Sequence, residues 1–271
     1  MEAKTFHETR RGRINGRREA RKRQVLIKNL ERRYAKQLTT LFRKFMNTEL
    51  YLFREFGVWD PVVAREHLDE DFIPLTLTYF RKLFKATWDL ENSNYMQRKQ
   101  EAVSVAVFDR QQDIVDLVDR YFNNRSLILA GVTSQMSSKI DKIIQSGRLE
   151  GLSNQDIARN ITNSFPSILR FRANLIARTE THNAVGFAAD IYYEALGKQT
   201  GIKLKKKWIA VSDDRTRSAH AEVNGTIIDN DENFIVGGAE MKYAGDPAGG
   251  LKNTINCRCT VIYADARDIV D

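Results

Sequence analysis

The stretch from Glu19 to Phe56 contains neither proline nor glycine. Apolar side chains recur in it at steps of three and four residues, which places them on one face of an α-helix. At a rise of about 1.5 Å per residue such a helix is about 55 Å long, and Gly57 ends it. A helix of this length packs antiparallel to other helices or forms part of an extended stalk. The stretch therefore limits the N-terminal part of the chain to a helical architecture.

Helical spacing continues through most of the first 197 residues. Pro61 begins a predicted short helix through His67, and further apolar stripes follow at 75–88, 103–122 and 127–144. Ser153 and Asp156 form a capping-box pattern that opens another short helix. A long helix is then predicted over residues 166–196, with Gly197 as its C-cap. The pattern thus predicts an all-α assembly up to this point.

The composition changes after residue 200, where seven of the 15 glycines lie. Apolar and polar residues alternate around Trp208, as expected for a strand. Asn224 and Gly225 form a strong turn signal, and the alternation returns between Cys257 and Tyr263. These patterns predict a small β-rich unit joined to the helical part.

The predicted fold class is therefore α+β, with an elongated, mainly α-helical N-terminal body and a small β-rich C-terminal domain. We expect a basic arm at residues 1–24 and a helical body at 25–150. The C-terminal domain at 151–271 combines the long helix at about 166–196 with a small sheet at 202–264.

The positive charge is concentrated at the N-terminus. The whole chain has a formal net charge of +8, yet residues 1–36 alone hold 13 Lys or Arg against four acidic residues. Such an arm is either a solvated tail or a contact for polyanions, and we expect any contact with double-stranded DNA to be independent of sequence. The candidate DNA-binding residues are Arg10, Arg11, Arg13, Arg17, Arg18, Arg21, Lys22 and Arg23.

Several classes of protein are disfavoured by features that the sequence lacks. No stretch approaches the roughly 18 apolar residues of a membrane span, so no membrane partner is expected. Arginines occupy the region where a secretory signal has its apolar core. The two cysteines, Cys257 and Cys259, cannot form a secreted disulfide framework, so a reducing cytoplasm is the default compartment.

The densest polar cluster runs from Trp208 to His220, with Arg178 and His182 on the preceding predicted helix. An enzyme, such as a nuclease or toxin-like hydrolase, would use His220 as a base together with Asp213 or Asp214. The alternative is a structural cluster of ion pairs and turn caps that fastens the small domain to the helix. We favour the structural role and a non-enzymatic protein, because no nucleophile elbow, Walker loop or His-Glu-x-x-His motif is present.

A metal site is a further alternative. Cys257 and Cys259 would point to the same face of a strand, and with His182 and His220 they would supply four tetrahedral zinc ligands. A Cys-x-Cys pair alone is also typical of two reduced cysteines packed as small apolar side chains. The prediction is accordingly no metal and no cofactor.

Five separated blocks of these residues occur in an order that resembles the head-morphogenesis family of tailed phages, also called the Mu F-like minor head proteins. The resemblance covers roughly residues 120–265. The blocks are Ala177-Arg178-Thr179-Glu180-Thr181; Trp208; Asp214-Arg215-Thr216-Arg217-Ser218-Ala219-His220 with Asn224-Gly225; Gly245-Asp246-Pro247; and Asn256-Cys257-Arg258-Cys259.

The resemblance implies a minor capsid protein that associates with the portal protein, and with major capsid or scaffold protein, during head assembly, DNA packaging or genome ejection. It implies a location in the virion, at the capsid interior or portal vertex, after assembly in the host cytoplasm. Many members carry Cys-x-x-Cys where this chain has Arg217 and His220, and those cysteines resemble zinc ligands. The residues expected to form the structural polar core are Arg178, Thr179, Glu180, Trp208, Asp214, Arg215, Arg217, His220, Asn256, Cys257, Arg258 and Cys259.

Overall fold

The computed structural model of the chain describes residues 16–99, 111–266 and 269. Arg10, Arg11, Arg13 and the side chain of Arg17, all predicted to contact DNA, lie outside the described part. Among the described residues, no helix contains an apolar stretch long enough to cross a membrane.

Four long helices make up most of the described chain. They are α1 (Gly16–Phe56), α2 (Pro61–Lys99), α3 (Gln111–Leu149) and α4 (Asn154–Thr200). Helix α1 confirms the prediction drawn from the stretch without proline and glycine. The capping box at the start of α4 is also confirmed, since the Asp156 amide donates to Ser153 Oγ at 3.1 Å and Ser153 Oγ donates to the Asp156 carboxylate at 2.6 Å.

Several predicted helix ends were wrong. Helix α2 continues through Pro74, α4 continues through Pro166, and α3 passes Asn123 and Asn124 without a break. A proline inside a helix costs about 3 kcal/mol because it removes one hydrogen bond and crowds the preceding turn. Buried apolar residues on both sides of each proline offset that cost, for example Phe72 and Tyr79 in α2.

The C-terminal region contains two small antiparallel sheets. The first has the strand order β2 (Ile227–Asp229), β1 (Leu204–Ile209), β5 (Thr260–Asp265), and the second pairs β3 (Phe234–Val236) with β4 (Ala239–Met241). Two short helices, α5 (Ser218–Glu222) and α6 (Gly250–Thr254), and a 3-10 turn at Pro247–Gly249 complete the region. The predicted α+β class is confirmed.

The two cysteines precede a strand rather than lying in one. Strand β5 begins at Thr260, and Asn256 has a φ of 55°, in the left-handed region that a continuous strand does not enter. Cys257 and Cys259 are therefore not part of a strand, and the strand predicted between Cys257 and Tyr263 is wrong at its start. All six residues of β5 are buried, because the strand is covered on both faces.

The chain forms two compact units, each assembled from separated stretches. Within the described residues, unit 1 comprises 16–30, 81–99, 111–117, 178–266 and 269, and unit 2 comprises 31–80 and 118–177. In unit 2, the rings of Tyr34 and Tyr79 stack with centroids 4.0 Å apart, and Phe80 meets Tyr121 edge-on at 5.1 Å. The division into an arm, a body and a C-terminal domain remains a prediction about function.

A buried ion pair lies at the centre of unit 1. Arg23 is 4% exposed and Glu91 1% exposed. Arg23 Nε and Nη2 both contact Glu91 Oε1, at 2.8 and 2.7 Å, while the Tyr193 hydroxyl donates to Glu91 Oε2 at 3.0 Å. Arg23 Nη1 also donates to Thr260 Oγ1 at 3.3 Å and to the carbonyl of Val261. Arg23 was predicted to contact DNA, but its guanidinium is directed inward, where Glu91 of α2 and two residues of β5 accept its hydrogen bonds.

A second buried pair lies nearby in the same unit. Lys206 Nζ, in β1, is 3.8 Å from Asp190 Oδ1, which also accepts a hydrogen bond from Tyr263 at 3.2 Å. Burial raises the pKa of Asp190 to about 6 and lowers the pKa of Lys206. The rings of Tyr263 and Tyr193 stack with centroids 4.6 Å apart, so both pairs belong to one packed cluster.

We predict that Arg23→Met lowers the free energy of unfolding by about 3–5 kcal/mol, because it leaves Glu91 as a buried charge without its cation. Urea unfolding followed by tryptophan fluorescence measures the change. The control is Arg32→Met, at an exposed arginine of the same helix, which should change stability by no more than about 0.5 kcal/mol. Equal effects of the two substitutions would contradict the role assigned to the buried pair.

Candidate functional site

The candidate site is built around His220, in the short helix α5. His220 is 1% exposed, and its Nδ1 atom lies 3.6 Å from Cys257 Sγ and 3.4 Å from Cys259 Sγ. The left-handed conformation of Asn256 turns the chain immediately before Cys257. The two sulfur atoms therefore face the same histidine nitrogen, although the cysteines precede β5.

The two cysteine thiols are inequivalent. A hydrogen bond with Cys257 lowers the pKa of Cys259, and the contact with His220 lowers it further, against the effect of burial. The same hydrogen bond and burial raise the pKa of Cys257. The hydrogen bond between the two sulfur atoms thus shifts their pKa values in opposite directions.

An aromatic side chain forms the wall of the site. Trp208 in β1 is fully buried, and its ring meets His220 edge-on with centroids 5.8 Å apart. The Trp208 ring also meets the Phe234 ring of β3 edge-on, with centroids 5.2 Å apart. The two small sheets therefore support the imidazole through Trp208.

The polar rim of the site is a bidentate ion pair. Arg258 Nη1 and Nη2 donate to Asp213 Oδ2 and Oδ1 at 2.5 and 2.6 Å. These bonds, followed by those from Thr216 Oγ1 and the Arg215 amide, hold the pKa of Asp213 well below its usual value. Arg258 thus fastens the loop before α5 to the cysteine segment.

Two further contacts fix that segment. Arg217 Nη2 donates to the Ile255 carbonyl at 2.6 Å, and the Asn256 amide donates to Thr179 Oγ1 of α4 at 3.2 Å. These contacts join α4, the start of α5 and the cysteine segment, and the structural role of the cluster stays a prediction. Asp214 and Arg215 differ from that prediction, because both are exposed to solvent.

The hydrolase alternative requires His220 to work with Asp213 or Asp214. In the structure Nδ1 of His220 faces the two sulfur atoms, and its Nε2 is buried without a partner among the described residues. Asp213 is engaged by Arg258. The structure therefore does not form a His-Asp catalytic pair here.

His182 lies apart from the cluster formed by His220, Cys257 and Cys259. It is 5% exposed, its ring is hydrogen-bonded to the Cys259 backbone, and burial lowers its pKa to about 4. Its Nε2 atom has no partner in the described chain. The His182 residue lines a cavity of about 10 Å³ together with Arg23, Val185 and Thr260. The predicted four-ligand set thus falls into a group of three plus a separate histidine.

Only the group of three has the geometry of a metal site within the described residues. The ligand atoms of His220, Cys257 and Cys259 all lie within 4.8 Å of one another. A tetrahedral zinc ion holds sulfur and nitrogen ligands about 3.5 Å apart, close to the observed 3.4 and 3.6 Å. A cavity of about 10 Å³ borders all three residues, which is about the size of one water molecule. His220, Cys257 and Cys259 therefore have the donor types and the spacing that would hold a zinc ion.

No signal in the sequence marks Glu91, Asp190 or Lys206 as a buried charged residue. Lys206 lies in a run of lysines that has the appearance of a solvated strand face, but it is 1% exposed. A run of like charges on one strand gives no indication of which cation is buried. The acidic partners Glu91 and Asp190 lie far away in sequence, on long helices.

The small α+β domain with its buried Cys-His cluster has the features expected of the Mu F-like proteins. Residues 138–262 match the family model described as Phage Mu protein F like protein. Over this region the chain is similar to that family, and the resemblance drawn from the motifs is confirmed. No solved structure matches the chain significantly.

Two curated relatives match the chain over about half of its length. One is NAD(+)--arginine ADP-ribosyltransferase EFV of Enterococcus faecalis (strain ATCC 700802 / V583), 34% identical over 128 residues, or 47% of this chain and 26% of the relative. The other is minor head protein GP7 of Bacillus phage SPP1, 31% identical over 134 residues, or 48% of this chain and 41% of the relative. The chain thus spans less than half the length of each relative.

The first relative corrects one prediction. A non-enzymatic protein was expected because the sequence contains no nucleophile elbow, Walker loop or His-Glu-x-x-His motif. A relative of 34% identity that is named as an ADP-ribosyltransferase overturns that prediction. The absence of a recognised motif does not exclude enzymatic activity.

We expect the full chain to bind Co²⁺, used as a coloured probe for zinc, with thiolate-to-cobalt absorption that Zn²⁺ abolishes. Cys259→Ser should remove the absorption, whereas His182→Gln should retain it because His182 lies outside the cluster. Arg217→Cys should tighten binding by adding a fourth ligand in the position that many family members fill with cysteine. A native chain without cobalt absorption at excess metal would contradict the fit.

Proposed function

We propose that this protein is a minor head protein of a tailed phage that associates with the portal protein at the inner capsid. The support is the Mu F-like region at residues 138–262 and the relative named minor head protein GP7. The proposed location is the virion, after assembly in the host cytoplasm. The proposed role is in head assembly, DNA packaging or genome ejection.

An exposed apolar surface in unit 2 supports docking onto another protein. It surrounds Gly57, at the turn between α1 and α2, where the rings of Tyr51 and Phe56 meet edge-on at 6.2 Å. Arg148 at the end of α3 donates to the Gly57 carbonyl at 3.2 Å, which brings Leu149 to the same surface. We call this surface the turn patch; its members, between 44 and 89% exposed, are Tyr51, Phe56, Val58, Val62, Val63 and Leu149.

The charged residues around the turn patch already have partners within the chain. Arg54 contacts Glu55 at 2.7 Å, Arg65 contacts Asp69 at 3.9 Å, and Asp60 accepts from the Val62 amide at 2.7 Å. A surface with several exposed apolar side chains and a satisfied charged rim fits a protein partner better than a polyanion. We assign it to the portal protein, with major capsid or scaffold protein as the alternative partner.

The basic arm at residues 1–24 is proposed to contact double-stranded DNA without sequence preference. Within its described part, Arg18 and Arg21 are exposed, and Lys22 donates to Asn94 and Gln97 of α2 at 3.1 and 3.0 Å. The burial of Arg23 removes it from this role.

Co-expression of the chain with the portal protein of the same phage tests the proposal. The native chain should co-purify with the portal, and the double substitution Phe56→Ser with Leu149→Ser should reduce the retained fraction at least severalfold. The control is Ile235→Ser with Leu251→Ser, two residues of unit 1 that are 58 and 54% exposed. Equal retention of both variants and the native chain would contradict docking through the turn patch, and no co-purification of the native chain would contradict the proposed function.

A further inference from the structure

The exposed face of α1 within unit 2 carries a row of hydrogen-bond donors without a carboxylate. Its members follow one another at steps of four, four, three and four residues, which keeps them on one face of the helix. All of them are exposed. We call this set the basic row: Arg32, Lys36, Thr40, Arg43 and Asn47.

The three cations of the basic row have no counter-ion within the described residues. Lys44, on the neighbouring face, differs in that its Nζ contacts Asp71 at 2.8 Å. Glu49 lies on another side of the helix, where it is 6% exposed and its Oε1 is 3.0 Å from His67 Nδ1. The positive potential of the row is therefore not neutralised by a neighbouring acid.

We propose that the basic row binds the phosphate backbone of double-stranded DNA. From Arg32 to Asn47 the row is about 22 Å long at 1.5 Å per residue. Its cations are spaced by about 6 and 10 Å along the axis, which corresponds to two to three phosphate steps of about 3.4 Å. Asn47 adds a neutral donor of the kind that contacts phosphate oxygens, whereas the Thr40 hydroxyl already donates to the Lys36 carbonyl at 3.1 Å.

The composition of the row favours duplex DNA over other anionic partners. An aromatic side chain, on which unpaired bases would stack, is absent from the row. The opposite, apolar face of the helix is occupied, because Tyr34, Leu38 and Phe42 are fully buried in unit 2. The helix therefore has no free apolar face to insert into an anionic membrane.

This inference rests on the proposed function, since a protein inside a phage head is surrounded by double-stranded DNA. It adds a surface that the sequence analysis did not assign. The predicted contact was the arm at residues 1–24, whereas the basic row begins at Arg32.

The test is the binding of a short DNA duplex to the full chain at several salt concentrations. The triple substitution Arg32→Gln, Lys36→Gln and Arg43→Gln removes three phosphate contacts and keeps good helix formers. The slope of log K against log salt should become shallower by about 2 to 3. The matched control is Lys139→Gln, Lys142→Gln and Arg170→Gln, which removes the same charge from exposed positions of unit 2 and should change the slope by less than 1.

Three results would overturn the inference. The two triple variants could lose affinity equally, which would assign binding to net charge alone. The row variant could bind DNA as the native chain does. Anionic lipid vesicles or single-stranded DNA could bind the row more tightly than the duplex. Co-purification of the row variant with the portal protein separates this inference from the proposed function. If the variant keeps portal binding and loses DNA affinity, the inference is supported. If the variant keeps its DNA affinity, the inference is refuted whether or not the portal protein co-purifies.

Discussion

The buried pair of Arg23 and Glu91 determines how the C-terminal region is assembled. A carboxylate that is 1% exposed is stable only with a cation and further donors around it. Arg23 supplies the cation from α1, Tyr193 supplies a hydroxyl from α4, and Arg23 in turn bonds the backbone of β5. Three helices and the edge strand β5 are therefore joined by one set of charge-assisted hydrogen bonds. The Cys257-Cys259 segment leads directly into β5, so the position of the candidate site depends on the same bonds.

The buried pair lies outside the part of the chain that matches the family model. Residues 138–262 match the family model, but Arg23 and Glu91 both lie outside it. The compact unit that contains most of the site also includes residues 16–30 and 81–99. The part of the chain that matches the family model and the part that supplies Arg23 and Glu91 are thus different.

The features that sequence analysis predicted correctly are local. Helix α1 and the Ser153-Asp156 capping box each follow from spacing or from a short motif. The features it missed depend on partners far away in sequence. Pro74 and Pro166 are accommodated because tertiary packing outweighs a lost hydrogen bond, and Arg23 and Lys206 are buried because acids on long helices meet them. His182 was grouped with the cysteines on residue type alone, whereas the fold directs its ring to the Cys259 backbone.

The most direct test of this account is to compare the unfolding of residues 138–271, produced alone, with that of the whole chain. Circular dichroism during thermal unfolding gives the transition for each. Because the separate piece lacks Arg23 and Glu91 and the helices that carry them, we predict that it shows no cooperative transition, while the whole chain does. A cooperative transition of the piece at the midpoint of the whole chain would contradict the claim that the N-terminal helices complete this fold.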